Sequence, residues 1–307
     1  MKHWAQMEER GIIWGMQVLL KVYLLFGPKI LQIFLYPVVS YYWLTNSKAR
    51  QASVAYLQRV SAYLPDNRIK TGLYGSYRHF ISFANAIIDK LAAWSGAITL
   101  QDVEFHGREA ILQHTGQGQG LLILGSHLGN LEVGRVMAYL GKKVTVNVLT
   151  HTKHAEKFNS VLNRYAETGR MNLIQVTEMN AATMMLLQDK IDAGELVVIA
   201  ADRTPVNSQS RIAKADFLGK TALFPQGPFI LASLLKCPVY TLFCLKQHGK
   251  QVLYFERFSD DLAFPRKQRD ALIQRCAQKF ADTLQHYCLQ EPLQWFNFYD
   301  FWQGGDE

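Results

Sequence analysis

Hydrophobic and polar positions change period along the chain, and the changes mark its elements. Leu121 to Leu124 is an unbroken apolar run behind a glycine turn at Gly116, Gly118 and Gly120, the pattern of a strand buried on both faces. Leu128 to Leu140 reads as a helix, and Lys143 to Leu149 alternates as a second strand, which completes a β-α-β unit. Met171 to Val176 predicts a strand, Ala181 to Ala193 an amphipathic helix ended by Gly194, and Glu195 to Ala201 a third apolar strand. Pro238 to Leu245 and Gln251 to Phe255 suit a hairpin around His248-Gly249-Lys250, and a basic helix follows from Arg266 to Cys288. Strands alternating with helices and closing in a hairpin predict an α/β fold, one mixed central sheet flanked by helices.

The first part of the chain has a different pattern. Gly11 to Leu44 is strongly apolar and aromatic, but Lys21 and the Pro28-Lys29 pair divide it. The runs on either side are short for a bilayer, which takes about 20 residues. A tilted span with snorkelling lysines, helices lying in the interface, and helices packed into the core all fit. Residues 1–44 are therefore expected to be a helical segment that associates with a membrane. Residues 45–307 form the main domain, with a helical lead-in over 45–100 and an α/β core over 101–307. As a span, the segment would place that domain in the cytoplasm, because Lys48, Arg50 and Arg59 follow it. No A-x-A site follows the segment, so a cleaved signal peptide is not expected. Asn46-Ser47 can cap a helix running to Leu64, and Tyr74, Tyr77, Phe80, Ile81, Ala84 and Ile88 recur at helical spacing.

Composition narrows the partners. Of 307 residues, 49% are hydrophobic and 19% charged, which excludes a disordered chain. A net charge of +8 favours an acidic partner. The basic residues are scattered and carry no zinc-finger, helix-turn-helix or RNA-binding motif, so no nucleic acid is expected. Cys237, Cys244, Cys276 and Cys288 show no C-x-x-C spacing and read as reduced core residues.

Candidate chemistry gathers where strands end. His127 follows the first buried strand, outside the carboxyl edge of the sheet where open α/β folds place their sites. Glu132 lies five residues on, within reach only if His127 stands ahead of the helix and Glu132 in its first turns. An imidazole backed by a carboxylate can serve as general base towards a hydroxyl or amine. The third strand likewise delivers Asp202-Arg203, and Arg203, Arg211, Lys214 and Lys220 suit a phosphate. His151 and His154 form an H-x-x-H pair with no third ligand at convincing spacing, so no metal is expected. Ser126 lacks the G-x-S-x-G spacing of a nucleophile elbow.

The stretch SHLGNLE closely resembles the H-x4-D/E signature of the bacterial lipid A biosynthesis acyltransferases, within the lysophospholipid acyltransferase superfamily. The Asp202 turn, the F-x-G segment at Phe217–Gly219 and the P-x-Q-W at Pro292–Trp295 follow in the same order. This resemblance implies a membrane-associated enzyme of the inner membrane with its catalytic domain on the cytoplasmic face. It implies that His127 is the base, Glu132 its partner and Arg164 an orienting arginine. Asn130, Asp202, Arg203 and Lys220 are then expected to meet substrate. The acyl group would pass from an acyl carrier protein thioester to a hydroxyl or amine of a membrane lipid or glycolipid, without a cofactor. Carrier-dependent glycyl transfer, hydrolysis with water as acceptor, and a non-catalytic scaffold are the alternatives. One departure stands out: the family's W-x-x-R-F ending is here Trp295-Phe296-Asn297-Phe298, without the arginine and followed by Asp300. That change points to a less anionic acceptor or to an unusual acyl group.

Overall fold

The computed structural model describes residues 10–65, 68–94, 97–131, 133–134, 144–150, 171–175, 180–204 and 211–303. Three helices lead the chain: α1 (Arg10–Thr45), α2 (Ser47–Ser61) and α3 (Gly72–Trp94). α1 is broken at Gly27, whose φ of 77° only glycine adopts without strain, just ahead of Pro28. Asn46 caps α2 by accepting a hydrogen bond from the Ala49 amide at 3.1 Å. On α1, Tyr23, Leu31 and Leu35 are buried against Ala84, Ile88 and Leu91 of α3. Its other face leaves Leu25, Phe26, Ile33, Phe34, Val38, Tyr41 and Leu44 exposed. Among the described residues no helix is long and apolar enough to cross a membrane, so the expected tilted span is not found there.

The α/β part runs β1 (Val103–His106), α4 (Arg108–Gly116), β2 (Leu121–Gly125), β3 (Val146–Thr150), β4 (Met171–Gln175), α5 (Ala181–Asp192), β5 (Leu196–Ala200), β6 (Ile212–Phe217), β7 (Lys220–Pro225), α6 (Gly227–Leu235), β8 (Val239–Gln247), β9 (Lys250–Ser259) and α7 (Arg269–Gln290). Seven strands form one sheet in the order β1-β9-β8-β2-β5-β3-β4. It is mixed, because β9 returns antiparallel to β8 while β2, β3, β4, β5 and β8 run together. Leu121, Leu122, Ile123 and Leu124 on β2 are wholly buried, as their apolar run requires. One face of the sheet packs on a core that includes α7, the β6–β7 hairpin and Trp295; the other packs under α4.

Two local outcomes differ from the sequence pattern. Leu128 does not begin a helix: Leu128 and Gly129 form isolated bridges to Trp295 and Cys244. Tertiary pairing overrides the helical spacing there. The segment from Ile212 to Pro225, marked in sequence only by its basic residues and the F-x-G, is a hairpin in full register. Its open edge lies along α7, where Gln274, Gln278 and Gln285 accept from the amides of Lys214, Asp216 and Leu218 at 3.2, 2.8 and 2.6 Å. Glutamines at that spacing share one helix face, so a helix closes a strand edge that would otherwise be unpaired.

Candidate active site

Strand register assembles the site. β2 and β5 are parallel neighbours with Gly125 opposite Ala200, so residues two further on emerge side by side at the carboxyl edge. These are His127 and Asp202. The ring Nδ1–H of His127 donates to Asp202 Oδ1 at 2.7 Å, and the His127 backbone amide donates to Oδ2 at 2.7 Å. The Trp295 indole Nε1–H donates to the same Oδ2 at 3.1 Å. Asp202 is fully buried. Burial alone pushes its carboxyl up, but the His127 ring, its hydrogen bonds and the Arg203 guanidinium outweigh burial and hold it below the usual carboxylate range. An ionised Asp202 fixes the proton on Nδ1, so Nε2 presents its lone pair. That is the tautomer a general base needs.

His127 lines a cavity of about 550 Å³. Phe83, Ile87, Phe296 and Phe298 supply apolar wall, and Lys48, Lys90 and Arg203 supply cations, with no acid among the described residues that line it. Arg203 donates to the Phe296 carbonyl at 3.0 Å and lies 5.9 Å from the Tyr299 ring centre. Burial pushes the Tyr299 hydroxyl up to about 12. A second chamber of about 450 Å³ shares Ala86, Gly129, Asn130 and Phe296 with the first. Its wall is polar. Gln32 donates to Asn85 at 2.8 Å, and Asp89 accepts from Lys246 at 2.8 and 2.9 Å and from Gln251 at 3.1 Å.

The turn after β2 is drawn tight. The Leu128 amide donates to Ser126 Oγ at 3.1 Å, the Gly129 amide to the Gln294 carbonyl at 2.7 Å, and the Asn130 amide to the Cys244 carbonyl at 2.9 Å. Gly129 has a φ of 71°, and a Cβ there would lie 1.7 Å from the Cys244 carbonyl oxygen. With the amides of residues 127 to 130 all engaged, the backbone of this turn is not free to meet an oxyanion.

Of the residues expected at the site, His127, Asn130 and Arg203 line one cavity. Asp202 is not among the described residues that line this cavity; it is fully buried and hydrogen-bonded to His127. Lys220 lines a different depression with Tyr63, Asp216 and Gln278, because the hairpin carries it onto α7. Glu132 and Arg164 lie outside the described residues. Sequence reading missed His79. It is fully buried on α3, with its Nε2 2.9 Å from the Trp295 carbonyl and its Nδ1 3.0 Å from Ser53 Oγ. A carbonyl only accepts, so Nε2 carries the proton and Nδ1 accepts from the serine. Nothing in the local pattern sets His79 apart from the aromatic stripe around it. The contacts of Lys48 and Lys90 with the cavity were equally silent.

The chain has no match among curated proteins. The family model for bacterial lipid A biosynthesis acyltransferases matches residues 75–303, which takes in the His127 turn, the Asp202 turn and the Trp295 strap. The protein is an acyltransferase that belongs to the bacterial lipid A biosynthesis acyltransferase family.

Proposed function

We propose that this protein moves an acyl group from a carrier-protein thioester to a hydroxyl or amine of a membrane lipid, with His127 as general base and Asp202 as the carboxylate that holds it. The observation that carries this is the 2.7 Å bond from Nδ1 to a buried carboxylate, with the ring at the wall of a cavity that is both apolar and cationic. The acceptor oxygen or nitrogen attacks the thioester carbonyl while His127 Nε2 takes its proton. The tetrahedral intermediate collapses, the carbon–sulfur bond breaks, and the leaving thiolate recovers the proton from His127. Asp202 keeps the ring oriented and stabilises the imidazolium between these steps. The oxyanion falls to the cationic side chains at the wall, since the turn amides are engaged.

The same cations suit a phosphate-bearing group, on the lipid or on the carrier arm. Asp300 is exposed and is not among the residues that line this cavity. It therefore does not oppose an anion there, and the sequence argument for a less anionic acceptor rests on the missing arginine alone. The amide- and hydroxyl-rich second chamber suits the polar head group of the acceptor. The exposed face of α1 would hold the protein on the inner membrane from its cytoplasmic side.

Purified protein, an acylated carrier protein and a bacterial lipid extract test the reading by mass spectrometry of the products. His127→Ala is expected to lower transfer at least about a hundredfold without loss of fold. Asp202→Asn should cost a similar factor, because an amide no longer dictates the base tautomer. Near-parental transfer by His127→Ala would overturn the proposal.

A further inference from the structure

Hydrogen bonds run without a break from the helical lead-in to the catalytic couple. Ser53 on α2 donates to His79 on α3, His79 donates to the Trp295 carbonyl, and the Trp295 indole donates to Asp202, which holds His127. Ser53, His79, Asp202 and Trp295 are all fully buried. We infer that Trp295 and His79 are positioning residues for the His127–Asp202 couple, acting through the orientation of the Asp202 carboxylate. This rests on the reading of His127 as general base.

The argument begins at Asp202. Its Oδ1 serves the imidazole, so the plane of the carboxylate is set by what holds Oδ2. Two donors do so, the His127 amide and the Trp295 indole. The amide moves with His127 itself, whereas the indole is anchored elsewhere and supplies an external reference. Trp295 is seated by rings of Tyr56, Phe217 and Phe301, with centroids 5.0, 5.1 and 4.9 Å away. Its backbone is fixed on two sides. Towards the site, Leu128 bridges to it and the Phe296 amide donates to the His127 carbonyl at 3.0 Å. Away from the site, its carbonyl accepts from the Asn297 amide at 2.9 Å and from His79 at 2.9 Å, and His79 is the distant partner, 216 residues away in sequence. His79 thus ties a distant helix to the strap that aims the carboxylate. The carbonyl fixes the proton on His79 Nε2, and Ser53, donating to Nδ1, holds the ring from its other side.

A purely structural Trp295 would give the same packing, so the test removes the donor and keeps the ring. In Trp295→Phe an aromatic side chain remains and the N–H is lost. With an acyl-pantetheine thioester as probe and glycerol as acceptor, kcat is expected to fall about tenfold or more, the factor one charge-assisted hydrogen bond can supply, while KM stays within about twofold. His79→Leu should fall in the same direction, and His79→Gln should recover most of kcat, because its amide can still donate to the Trp295 carbonyl. Proton NMR provides a readout that needs no turnover. The Nδ1–H resonance of His127 should be protected from exchange in the parent, and broadened or lost in Trp295→Phe and His79→Leu.

Unchanged kcat together with an unchanged Nδ1–H resonance in Trp295→Phe overturns the role of the indole. Equal activity of His79→Gln and His79→Leu overturns the role of His79. Should His79→Leu fail to fold, Ser53→Ala replaces it, with loss of Nδ1–H protection expected and retained protection counting against the chain of bonds. A parent that does not turn over the probe would speak against the acyl-transfer reading alone, and the NMR comparison would still decide positioning.

Discussion

His79 is neutral at neutral pH, since burial lowers its pKa from the ordinary 6.5 to about 4, against a smaller upward pull from the Trp295 carbonyl. Unfolding exposes it to water and restores the ordinary value. Between these two values the unfolded chain binds a proton that the folded chain does not, so acidification favours unfolding. The stability His79 allows is fully present above pH 6.5 and is lost as pH falls through the window to about 4. At 1.36 kcal/mol per unit the whole window amounts to about 3 kcal/mol. Urea unfolding of the parent and of His79→Gln at several pH values measures it. The parent should lose stability more steeply than the variant between pH 6.5 and 4, and parallel slopes would mean that His79 titrates alike in both states. A histidine in the middle of an aromatic helical stripe carries no signature of this in sequence. Its partners lie 26 and 216 residues away, and only the fold brings them together.

The turn that follows β2 shows where sequence patterning holds and where it stops. The apolar run of β2 was legible because a strand buried on both faces has no polar positions to place. His127 was legible because an apolar strand that ends in Gly-Ser-His delivers that side chain at the sheet edge. The bond from His127 to Asp202 was not legible from spacing, and Glu132, the expected partner, lies outside the described residues. Asp202 reaches His127 through the parallel register of β5, and register is set by which strands become neighbours, a property of the sheet and not of either strand. Gly129 is the residue on which the turn depends. Its positive φ and its approach to Cys244 leave no room for a Cβ. Gly129→Ala is therefore expected to destabilise the protein by more than about 2 kcal/mol, from left-handed strain plus the displaced Cys244 strand. Thermal unfolding of the purified variant checks this. A midpoint within a degree or two of the parent would show that the turn can relax without disturbing the sheet.

Taken whole, the molecule is lopsided: a mixed sheet holds the His127–Asp202 pair, and a helical layer presents apolar side chains outward. Leu25, Phe26, Ile33, Phe34, Val38, Tyr41 and Leu44 stay exposed on α1 although its other face is packed on α3. A contiguous apolar face of that kind on a soluble surface marks an interaction site. The net charge of +8 adds attraction to anionic lipid. The cavity begins beside this face, because Tyr42 and Lys48, at the joint of α1 and α2, line it together with His127. A lipid lifted from the surface would meet the cations first and the base next. Both forces predict adsorption to vesicles of anionic phospholipid, but they respond differently to salt. At 1 M salt the Debye length is about 3 Å and surface charge is screened. Apolar insertion survives, with each large side chain contributing about 1.5–3 kcal/mol when fully buried. The full chain should therefore remain on such vesicles in 1 M salt and leave with detergent. Ile33→Asp combined with Phe34→Asp should lower its partition at least about tenfold, since 1.4 kcal/mol suffices for that factor. Quantitative release of the parent by salt alone, or an unchanged partition of the double variant, would show that charge and not the α1 face holds the protein at the lipid.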